Sequence, residues 1–455
     1  PKNRKYAVYA SLVNPPPDSS AAIHIRSKCI PAACIPRVPK MSSTESQQDK
    51  QHIIFAAPFF MDATLAFING AAQLPNINLT VISQDPAERI PQAIRHLLAG
   101  HWRVDNALDA NQLVEGARNL EKSFGKAVRL IGALEQLQVP LAMAREALGI
   151  VGLSVQSSVN FRDKSRMKNV LAEAGIPCAR HILAGDRQAA LEFTEKVGFP
   201  VVVKPPAGAG GKSTFRLDSA ALLDQFLETY PHSTEHPYMY EEFIGGSEYS
   251  FDSVMINGQP VWHSISSYMP SPLAVLENDW IQWCVMLPRD VSGPQFDPIR
   301  EAGFAALSAL GMETGLSHME WFRLPDGRIA ISEVGARPPG AQITSLLSYA
   351  HDINFYRAWP HLLIFGEFEP PARKFACGAA YIRGQGRGRV KKIHGLDEAQ
   401  RRFGKLVVEV KLPQEGQPPS DSYEGDGYVI VRHPETEVVQ NALQQIVQLI
   451  RVELA

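Results

Sequence analysis

Two glutamates within residues 318–339 have a spacing that predicts a shared site. If Asp326 and Gly327 form a two-residue type I′ turn, which suits this pair because both positions require positive φ, Glu320 and Glu333 become cross-strand partners. Like charges placed directly opposite each other repel. A cation should therefore lie between the two carboxylates. Mg²⁺ is the natural candidate, because it takes oxygen ligands from one or two carboxylates and from substrate phosphates.

The same register pairs Leu324 with Ile329 and Phe322 with Ile331, so that the two carboxylates would finish an otherwise apolar ladder. The alternative is an exposed hairpin whose glutamates extend into water. Apolar neighbours on the same face weigh against it, because unpaired carboxylates are seldom buried.

A glycine-rich segment, PAGAGGKST, is a second candidate for phosphate chemistry. It is not a P-loop, because Pro206 stands where GxxxxGK[ST] requires its first glycine and residues 215–217 predict a strand instead of a helix. Two antiparallel strands, 201–204 and 214–217, joined by a mobile loop fit better. Backbone N–H groups of such a loop can surround phosphates, and Lys204 lies at the strand end beside it. A long flexible hairpin loop without a ligand is the alternative.

Composition limits the class of protein. With 455 residues, 45% hydrophobic and 20% charged, the chain predicts a soluble globular protein of about three domains. Its net charge of −2 and the lack of a long apolar run indicate neither a nucleic-acid nor a membrane partner. Residues 384–389, GQGRGR, could contact RNA, but a solvated basic turn is favoured because no aromatic residues are interleaved. Five scattered cysteines without a CxxC motif indicate a reducing, cytoplasmic setting.

The chain is predicted to contain a short extension and several α/β parts. Residues 1–50 are basic, acid-poor and proline-rich, and we expect them to be largely disordered; Met41 resembles a natural start, which favours a vector-derived or upstream-translated extension over a transit peptide. The further boundaries are 51–150, an N-terminal α/β domain with a parallel sheet; 151–237, with the glycine loop; 238–369, with the glutamate hairpin; and 370–455, a small α+β domain.

Within the N-terminal domain the pattern predicts strands at 52–58 and 79–83, helices at 61–74, 111–124 and 126–138, a strand at 139–142 and a helix at 144–148. No GxGxxG motif follows the first strand, so a dinucleotide site there is not expected. Further along, helices are predicted at 163–175, 186–197, 297–310 and 435–452.

Four segments, in this order, resemble the ATP-grasp superfamily: FRDKSRMKNVLAEAGIP, VVVKPPAGAGGKS, YEEFIGGSE and HMEWFRLPDGRIAISEVGARPPG. The resemblance covers about residues 150–366 and is shared with biotin carboxylase, carbamoyl-phosphate synthetase, D-alanyl-D-alanine ligase and the L-amino acid ligases. The motif EVGARPPG is most similar to the L-amino acid ligase type. The implied fold is an α/β (α+β) ATP-grasp fold between an N-terminal parallel-sheet domain and a small C-terminal α+β domain.

The resemblance implies an ATP site. Its predicted residues are the phosphate-binding lysines Lys164 and Lys204, the lid residues Gly208, Gly210, Gly211, Lys212 and Ser213, and the hinge residues Glu241, Glu242, Phe243 and Ile244, with Glu248 on the ribose. In the hinge, the Glu242 carbonyl and the Ile244 N–H would bind the adenine.

The resemblance also implies the reacting centre. Glu320 and Glu333 would hold Mg²⁺, with Mn²⁺ able to substitute, and Arg337 would stabilise developing negative charge. Many relatives have an asparagine two residues after the second glutamate, where this chain has Gly335. The number of metal ions is therefore left open.

The implied reaction is ATP-dependent joining of a carboxylate and an amine through an acylphosphate, with release of ADP and phosphate and an amino-acid amide or dipeptide as product. Residues that could contact the substrates are His263, Ser266, Tyr268, Glu277, Trp280, Arg289, Gly340 and Ala341. Two alternatives remain open: carboxylation with bicarbonate or carbamate, and a regulatory nucleotide-binding protein without activity. A homodimer is common among such relatives.

Overall fold

The computed structural model describes residues 50–206, 214–277, 281–420 and 424–455. The predictions for the N-terminal extension and for the lid residues Gly208, Gly210, Gly211, Lys212 and Ser213 lie outside this part of the chain. None of the described helices is both long and apolar enough to cross a membrane.

The first part of the described chain forms a parallel sheet, as predicted. Its strands are short and, apart from Gly100–Arg103 at the edge, mostly buried; in the first of them, five consecutive residues are buried. Four strands lie side by side in the order β3-β2-β1-β4, and all neighbours run parallel. The elements in chain order are β1 (Gln51–Ala56), α1 (Asp62–Ala72), β2 (Ile77–Ser83), α2 (Gln92–Arg95), β3 (Gly100–Arg103), α3 (Ala110–Phe124), β4 (Ala127–Ile131), α4 (Gln138–Leu148) and α5 (Val155–Arg162).

The order of elements predicted for residues 126–148 is wrong. The expected helix 126–138 is instead the strand β4, and the expected strand 139–142 lies inside helix α4. Ala127, Leu130 and Ile131 are buried in the sheet domain, and pairing with β1 satisfies the strand's backbone. Pro140 lies in the first turn of α4, where an N–H has no helical partner anyway.

The second part, which carries the glycine loop, forms an antiparallel sheet in the order β5-β8-β6-β7. The predicted pair of strands flanking the loop is confirmed, and the helix predicted at 186–197 begins one residue later, after its N-cap Asp186. The elements are α6 (Lys164–Glu173), β5 (His181–Ala184), α7 (Arg187–Val197), β6 (Val201–Lys204), β7 (Phe215–Leu217), α8 (Ala220–Thr229) and β8 (Tyr238–Glu242).

The remaining chain is organised around one eight-stranded antiparallel sheet, in the order β13-β12-β9-β10-β11-β14-β18-β17. This sheet continues across the boundary predicted at 369/370. The elements up to that boundary are β9 (Ser247–Ile256), β10 (Gln259–Met269), α9 (Pro272–Glu277), β11 (Trp283–Leu287), α10 (Asp297–Leu310), β12 (Gly315–Arg323), β13 (Ile329–Gly335), α11 (Ile343–His351) and α12 (Phe355–Phe365).

The C-terminal region contributes three strands to that sheet and forms a second, three-stranded sheet in the order β15-β19-β16. The predicted closing helix ends at Leu449, earlier than expected, because the residues after it pair with β16 as a further strand. The elements are β14 (Ala376–Ile382), β15 (Gly384–Gln385), β16 (Val390–His394), α13 (Leu396–Phe403), β17 (Val407–Lys411), β18 (Gly427–His433), α14 (Thr436–Leu449) and β19 (Arg451–Leu454).

The hairpin of β12 and β13 pairs Glu320 with Glu333, as predicted, but by another route. The turn contains three residues, because Leu324 accepts a hydrogen bond from Gly327 and donates one to Arg328. Gly327, with φ of 87°, adopts the left-handed conformation common in three-residue hairpin loops.

This longer turn shifts the register by one residue, so the predicted pairs of Leu324 with Ile329 and of Phe322 with Ile331 are wrong. Trp321 pairs with Ile331 instead. Ser332 is an extra residue on β13, and this bulge restores the register before the two glutamates. As a result Trp321 and Ile331 are buried in a core on one face of the hairpin, and the glutamates point to the other.

We expect Gly327→Ala to lower the free energy of unfolding by about 1–2 kcal/mol, because an L-residue pays that cost in the left-handed region. Urea denaturation measures the effect. Gly245→Ala is the matched control: its φ is not positive and an added Cβ would meet no atom within 4 Å. An equal loss in both variants would contradict a conformational requirement at Gly327.

Candidate functional site

A cavity of about 390 Å³ lies between the loops of the parallel sheet, the small antiparallel sheet and the eight-stranded sheet. Most residues predicted from the sequence to form the site line it together. They are Lys164, Lys204, Glu241, Glu242, Phe243, Ile244, Glu248, Tyr268, Glu320, Glu333, Arg337, Gly340 and Ala341.

Three residues predicted to contact the substrate, His263, Ser266 and Arg289, do not line the cavity. On β10, alternate side chains point to opposite faces, so His263 points away from Tyr268 and packs on Phe251, with ring centroids 5.3 Å apart. Burial, followed by the charge of Arg300, lowers the pKa of His263 to about 4.

Arg289 is exposed and donates from its backbone N–H to Thr436 near the C-terminal helix. Ser266 is buried within β10, where its hydroxyl hydrogen-bonds to that of Ser250. The side chain of Glu277 and residue Trp280 lie outside the described residues.

One end of the cavity contains a buried group of three charges. Glu241 lies between two lysines, with Lys168 Nζ 3.0 Å from its Oε1 and Lys204 Nζ 2.9 Å from its Oε2. Burial alone would raise the pKa of Glu241, but the two ammonium groups more than offset it and lower this pKa to about 2. Burial opposes the charge of Lys204 too, yet Glu241, Glu333 and Glu320 raise its pKa, so the ammonium stays charged.

Lys168 was not predicted to belong to the site. It lies four residues after Lys164 on α6, so both side chains lie on one face of that helix. That i, i+4 spacing was the sequence signal from which Lys168 could have been assigned to the site. The two lysines contribute differently: Lys168 is fully buried against Glu241, whereas Lys164 reaches Glu333, 2.5 Å from its Oε1.

The charge of Glu241 predicts a pH dependence of stability. Its pKa is about 2 in the folded chain, against 4.5 for an unperturbed glutamate, so its ionised form contributes about 3 kcal/mol at neutral pH. This contribution is complete above pH 4.5 and is lost as the pH falls toward 2. The difference in unfolding free energy between the wild type and Glu241→Gln should therefore shrink by more than half between about pH 7 and about pH 3. A difference independent of pH would contradict the ion-pair assignment.

The other end of this charged region contains three carboxylates. Glu320 and Glu333 oppose each other across the hairpin, and Glu248 lies on the neighbouring strand β9. Burial, followed by the charge of Glu320, raises the pKa of Glu248, and burial with the charge of Glu333 raises that of Glu320. Burial acts in the same direction on Glu333, but Lys164 and Lys204 outweigh it and lower the pKa of this carboxyl.

This arrangement has an excess of negative charge that a divalent cation would offset. Within the described part of the chain, no three His, Cys, Asp or Glu side chains are placed to bind a metal ion by themselves. The donor set thus suits Mg²⁺ held by two carboxylates and completed by phosphate oxygens and water. Zinc would need more side-chain ligands.

His318 is a further cavity residue that the sequence analysis missed. Its Nδ1 lies 2.7 Å from Oδ1 of the fully buried Asp252, directly across the ladder between β12 and β9, and its Nε2 lies 3.9 Å from Glu320 Oε1. Ser250 donates to the second oxygen of Asp252. His318 stands two residues before Glu320, which places both on the same face of β12.

The predicted adenine hinge follows β8. Glu242 is anchored by Arg180, whose guanidinium lies 2.6 Å from the Glu242 carboxylate, and the N–H of Phe243 donates to the carbonyl of Pro200. Arg216 lies over the ring of Phe243, 4.3 Å from its centroid. These contacts position the backbone of Ile244 at the cavity, while the adenine-binding role stays a prediction.

Arg337 follows β13 at the boundary between the charged and the apolar parts of the cavity. Its Nε donates to Oε2 of Glu135 over 2.5 Å, and its Nη1 donates to the carbonyl of Pro338. Glu135 comes from the loop after β4 in the parallel-sheet domain. The sequence carries no local signal for this pair, because the two residues are 202 positions apart.

The far part of the cavity is apolar. Its walls come from α1, the ends of β10 and β11 and the loop after Arg337, and they include Phe67, Tyr268, Trp283, Ala341 and Ile343, all members of one hydrophobic cluster. Tyr381 supports this wall by donating its hydroxyl to the carbonyl of Ala341 and by stacking on Trp283.

Comparison with known protein families agrees with this geometry. The ATP-grasp domain family matches residues 169–346, and the family described as L-amino acid ligase C-terminal domain 2 matches residues 380–455. The chain carries an ATP-grasp domain. Each family match includes part of the eight-stranded sheet, one on each side of the junction between β11 and β14.

The relatives of this ATP-grasp ligase include the L-arginine-specific L-amino acid ligase of Bacillus subtilis, 23% identical over 70% of this chain and 78% of that protein. The carbamoyl phosphate synthase large chain of Methanothermobacter thermautotrophicus is 25% identical over 50% of this chain, which spans only 21% of that relative. Among solved structures, the L-amino acid ligase from Bacillus licheniformis has a TM-score of 0.72 at 20% identity, with 90% of this chain and 100% of that chain covered. The solved structure thereby shows the fold, and the ATP-grasp domain followed by an L-amino acid ligase C-terminal domain indicates an ATP-dependent carboxylate–amine ligase.

Proposed function

We propose that this ATP-grasp ligase joins two amino acids, or an amino acid and another amine, through an acylphosphate. The observation that carries the proposal is the arrangement within one cavity: opposed Glu320 and Glu333, Lys164 and Lys204 beside them, and Arg337 at the entrance to an apolar chamber. Arg337 would then lie between the part of the cavity that binds the phosphates and the part that binds a substrate side chain.

In the proposed reaction, a carboxylate oxygen of the first substrate forms a bond to the γ-phosphorus of ATP, and the bond from that phosphorus to the bridging oxygen breaks to release ADP. The amine nitrogen of the second substrate then bonds to the acyl carbon, phosphate leaves with the C–O bonding electrons, and the amine proton passes to solvent. Mg²⁺ bound by Glu320 and Glu333 would supply charge neutralisation on the phosphates. Lys164 and Lys204 would orient the phosphates, and Arg337 would stabilise charge on the acyl group.

The apolar chamber supports a substrate class. Phe67, Tyr268, Trp283 and Ile343 provide aromatic and aliphatic walls that gain free energy by covering an apolar side chain. We propose that at least one substrate is an amino acid with a large apolar side chain, in contrast to the arginine named for the Bacillus subtilis relative. Such a wall would also exclude water, which would otherwise hydrolyse the acylphosphate.

The test is ADP release from the purified protein with Mg²⁺, ATP and pairs of amino acids, followed by mass identification of the product. We expect turnover with phenylalanine, leucine or methionine in a pair, and a product mass equal to the sum of both substrates minus water. Bicarbonate-dependent turnover without any amine would support carboxylation instead. ADP release unaffected by every amine would overturn the ligase proposal.

A further inference from the structure

Glu135 and Gly335 meet at Arg337, although the three residues come from distant parts of the chain. A Cβ added at Gly335 would lie 3.2 Å from Oε2 of Glu135 and 3.5 Å from Cγ of Arg337. The φ of Gly335 is not positive, so its backbone does not itself require glycine. The constraint comes from space, because a Cβ at this distance is tighter than most real contacts and the Glu135 carboxylate would have to shift by a few tenths of an ångström.

The Glu135 carboxylate is held firmly. Its side chain is only 9% exposed, against 19% for Arg337. It begins a single 3₁₀ turn, Glu135–Leu137, whose Leu137 is fully buried, and Gln138 donates to the carbonyl of Leu134 just before it. A short charge-assisted hydrogen bond, donated by Arg337 to so fixed an acceptor, defines the orientation of the guanidinium.

We propose that Glu135 is a positioning residue for Arg337, and that Gly335 is glycine in order to admit the Glu135 carboxylate. The N-terminal domain thereby sets the direction in which Arg337 presents its terminal nitrogens to the reacting acyl group. The inference rests on the proposed function for the role of Arg337, whereas the steric relation between Gly335 and Glu135 stands by itself.

The first experiment separates positioning from nucleotide binding. In Glu135→Ala, we expect kcat for amide formation to fall by about 10–100-fold, because misplacement of a charged group costs rates of this order. KM for ATP should change less than about twofold, since Lys164, Lys204 and the hinge remain. Glu135→Gln keeps the shape and one hydrogen-bond acceptor and should recover part of kcat. Glu146→Gln, an exposed carboxylate on α4, is the matched control and should behave as wild type.

The second experiment is a double-mutant cycle with Gly335→Ala. In the wild-type background the new methyl group should push the Glu135 carboxylate by a few tenths of an ångström against its short contact with Arg337, lowering both kcat and the free energy of unfolding measured in urea. In the Glu135→Ala background the same methyl group enters vacated space and should cost much less in both measurements. Equal costs in the two backgrounds would overturn the steric relation.

The two proposals fail in different ways. If the wild-type protein released ADP without regard to any amine, the proposed function would be wrong, and the stability cycle would still decide whether Glu135 fills the space at Gly335. If the wild type formed amides and Glu135→Ala kept its kcat within about twofold, the positioning role alone would be wrong.

Discussion

Replacing Glu333 by glutamine is expected to reduce ATP turnover by at least about 100-fold, the order seen when a preorganised charge is removed from an active site. Glu333 is the carboxyl of the opposed pair whose pKa is lowered, so it carries a full charge at neutral pH. Glutamine keeps its shape but leaves Glu320, whose pKa is raised, as the only acid of the hairpin pair. It also removes the charge partner of Lys164, 2.5 Å away.

The measurement is initial ADP release as a function of Mg²⁺ concentration. Because one of two proposed ligands is weakened, the Mg²⁺ concentration for half-maximal activity should rise, and high Mg²⁺ should restore part of the rate. Glu398→Gln, which removes an exposed carboxylate paired with Arg401 on α13, is the control and should leave the rate unchanged. Full activity of Glu333→Gln at low Mg²⁺ would show that this hairpin does not bind a catalytic metal.

Replacing Lys204 by methionine is expected to lower kcat/KM for ATP by about 100–1,000-fold. Lys204 balances the negative charge of Glu333 as well as that of Glu241, so its removal makes the cavity repel the phosphates of ATP. Methionine fills most of the same volume, and Glu241 retains Lys168 as a partner. The substitution should therefore weaken ATP binding and slow turnover more than it disturbs the fold.

Calorimetric titration with ADP and steady-state kinetics would separate the two contributions. Lys196→Met, at the exposed C-terminal end of α7 in the same part of the chain, is the matched control. Unchanged nucleotide affinity in Lys204→Met would show that this lysine does not bind the phosphates, whatever the effect of the substitution on turnover.

Much of the architecture could be predicted from periodicity, because buried strands and amphipathic helices leave local patterns. Helix α10 was placed at its observed bounds, and the strands around the glycine loop were recognised. The error at residues 126–148 arose where pairing with β1 outweighed a local pattern that a helix could also satisfy. Such an outcome depends on partners that are distant in sequence.

The pairing of Glu320 with Glu333 was predicted correctly although the turn length and the absence of a bulge were both predicted wrongly, because the two errors cancel. The turn is one residue longer than Asp-Gly alone indicates, and the bulge at Ser332 compensates. Bulges have no reliable local signal. The faces assigned to Ile329 and Ile331 were consequently wrong, although the glutamates were correctly opposed.

Motifs identified the residues of the charged cavity, but not those whose significance depends on contacts across domains. Lys168 and His318 stand close to motif residues and could have been noticed by helical or strand spacing. Glu135 could not, because only folding brings it to Arg337. The predicted homodimer and the number of metal ions stay predictions.

The continuity of the eight-stranded sheet determines how the chain can be divided. All five residues of β11, Trp283–Leu287, are buried, and along one side their backbone groups bond to β14. A fragment ending at residue 369 would leave this apolar strand with an open edge, which recruits strands from other molecules. The part that carries the glutamate hairpin would then aggregate when expressed alone. The C-terminal region prevents this by covering the edge of β11 with β14.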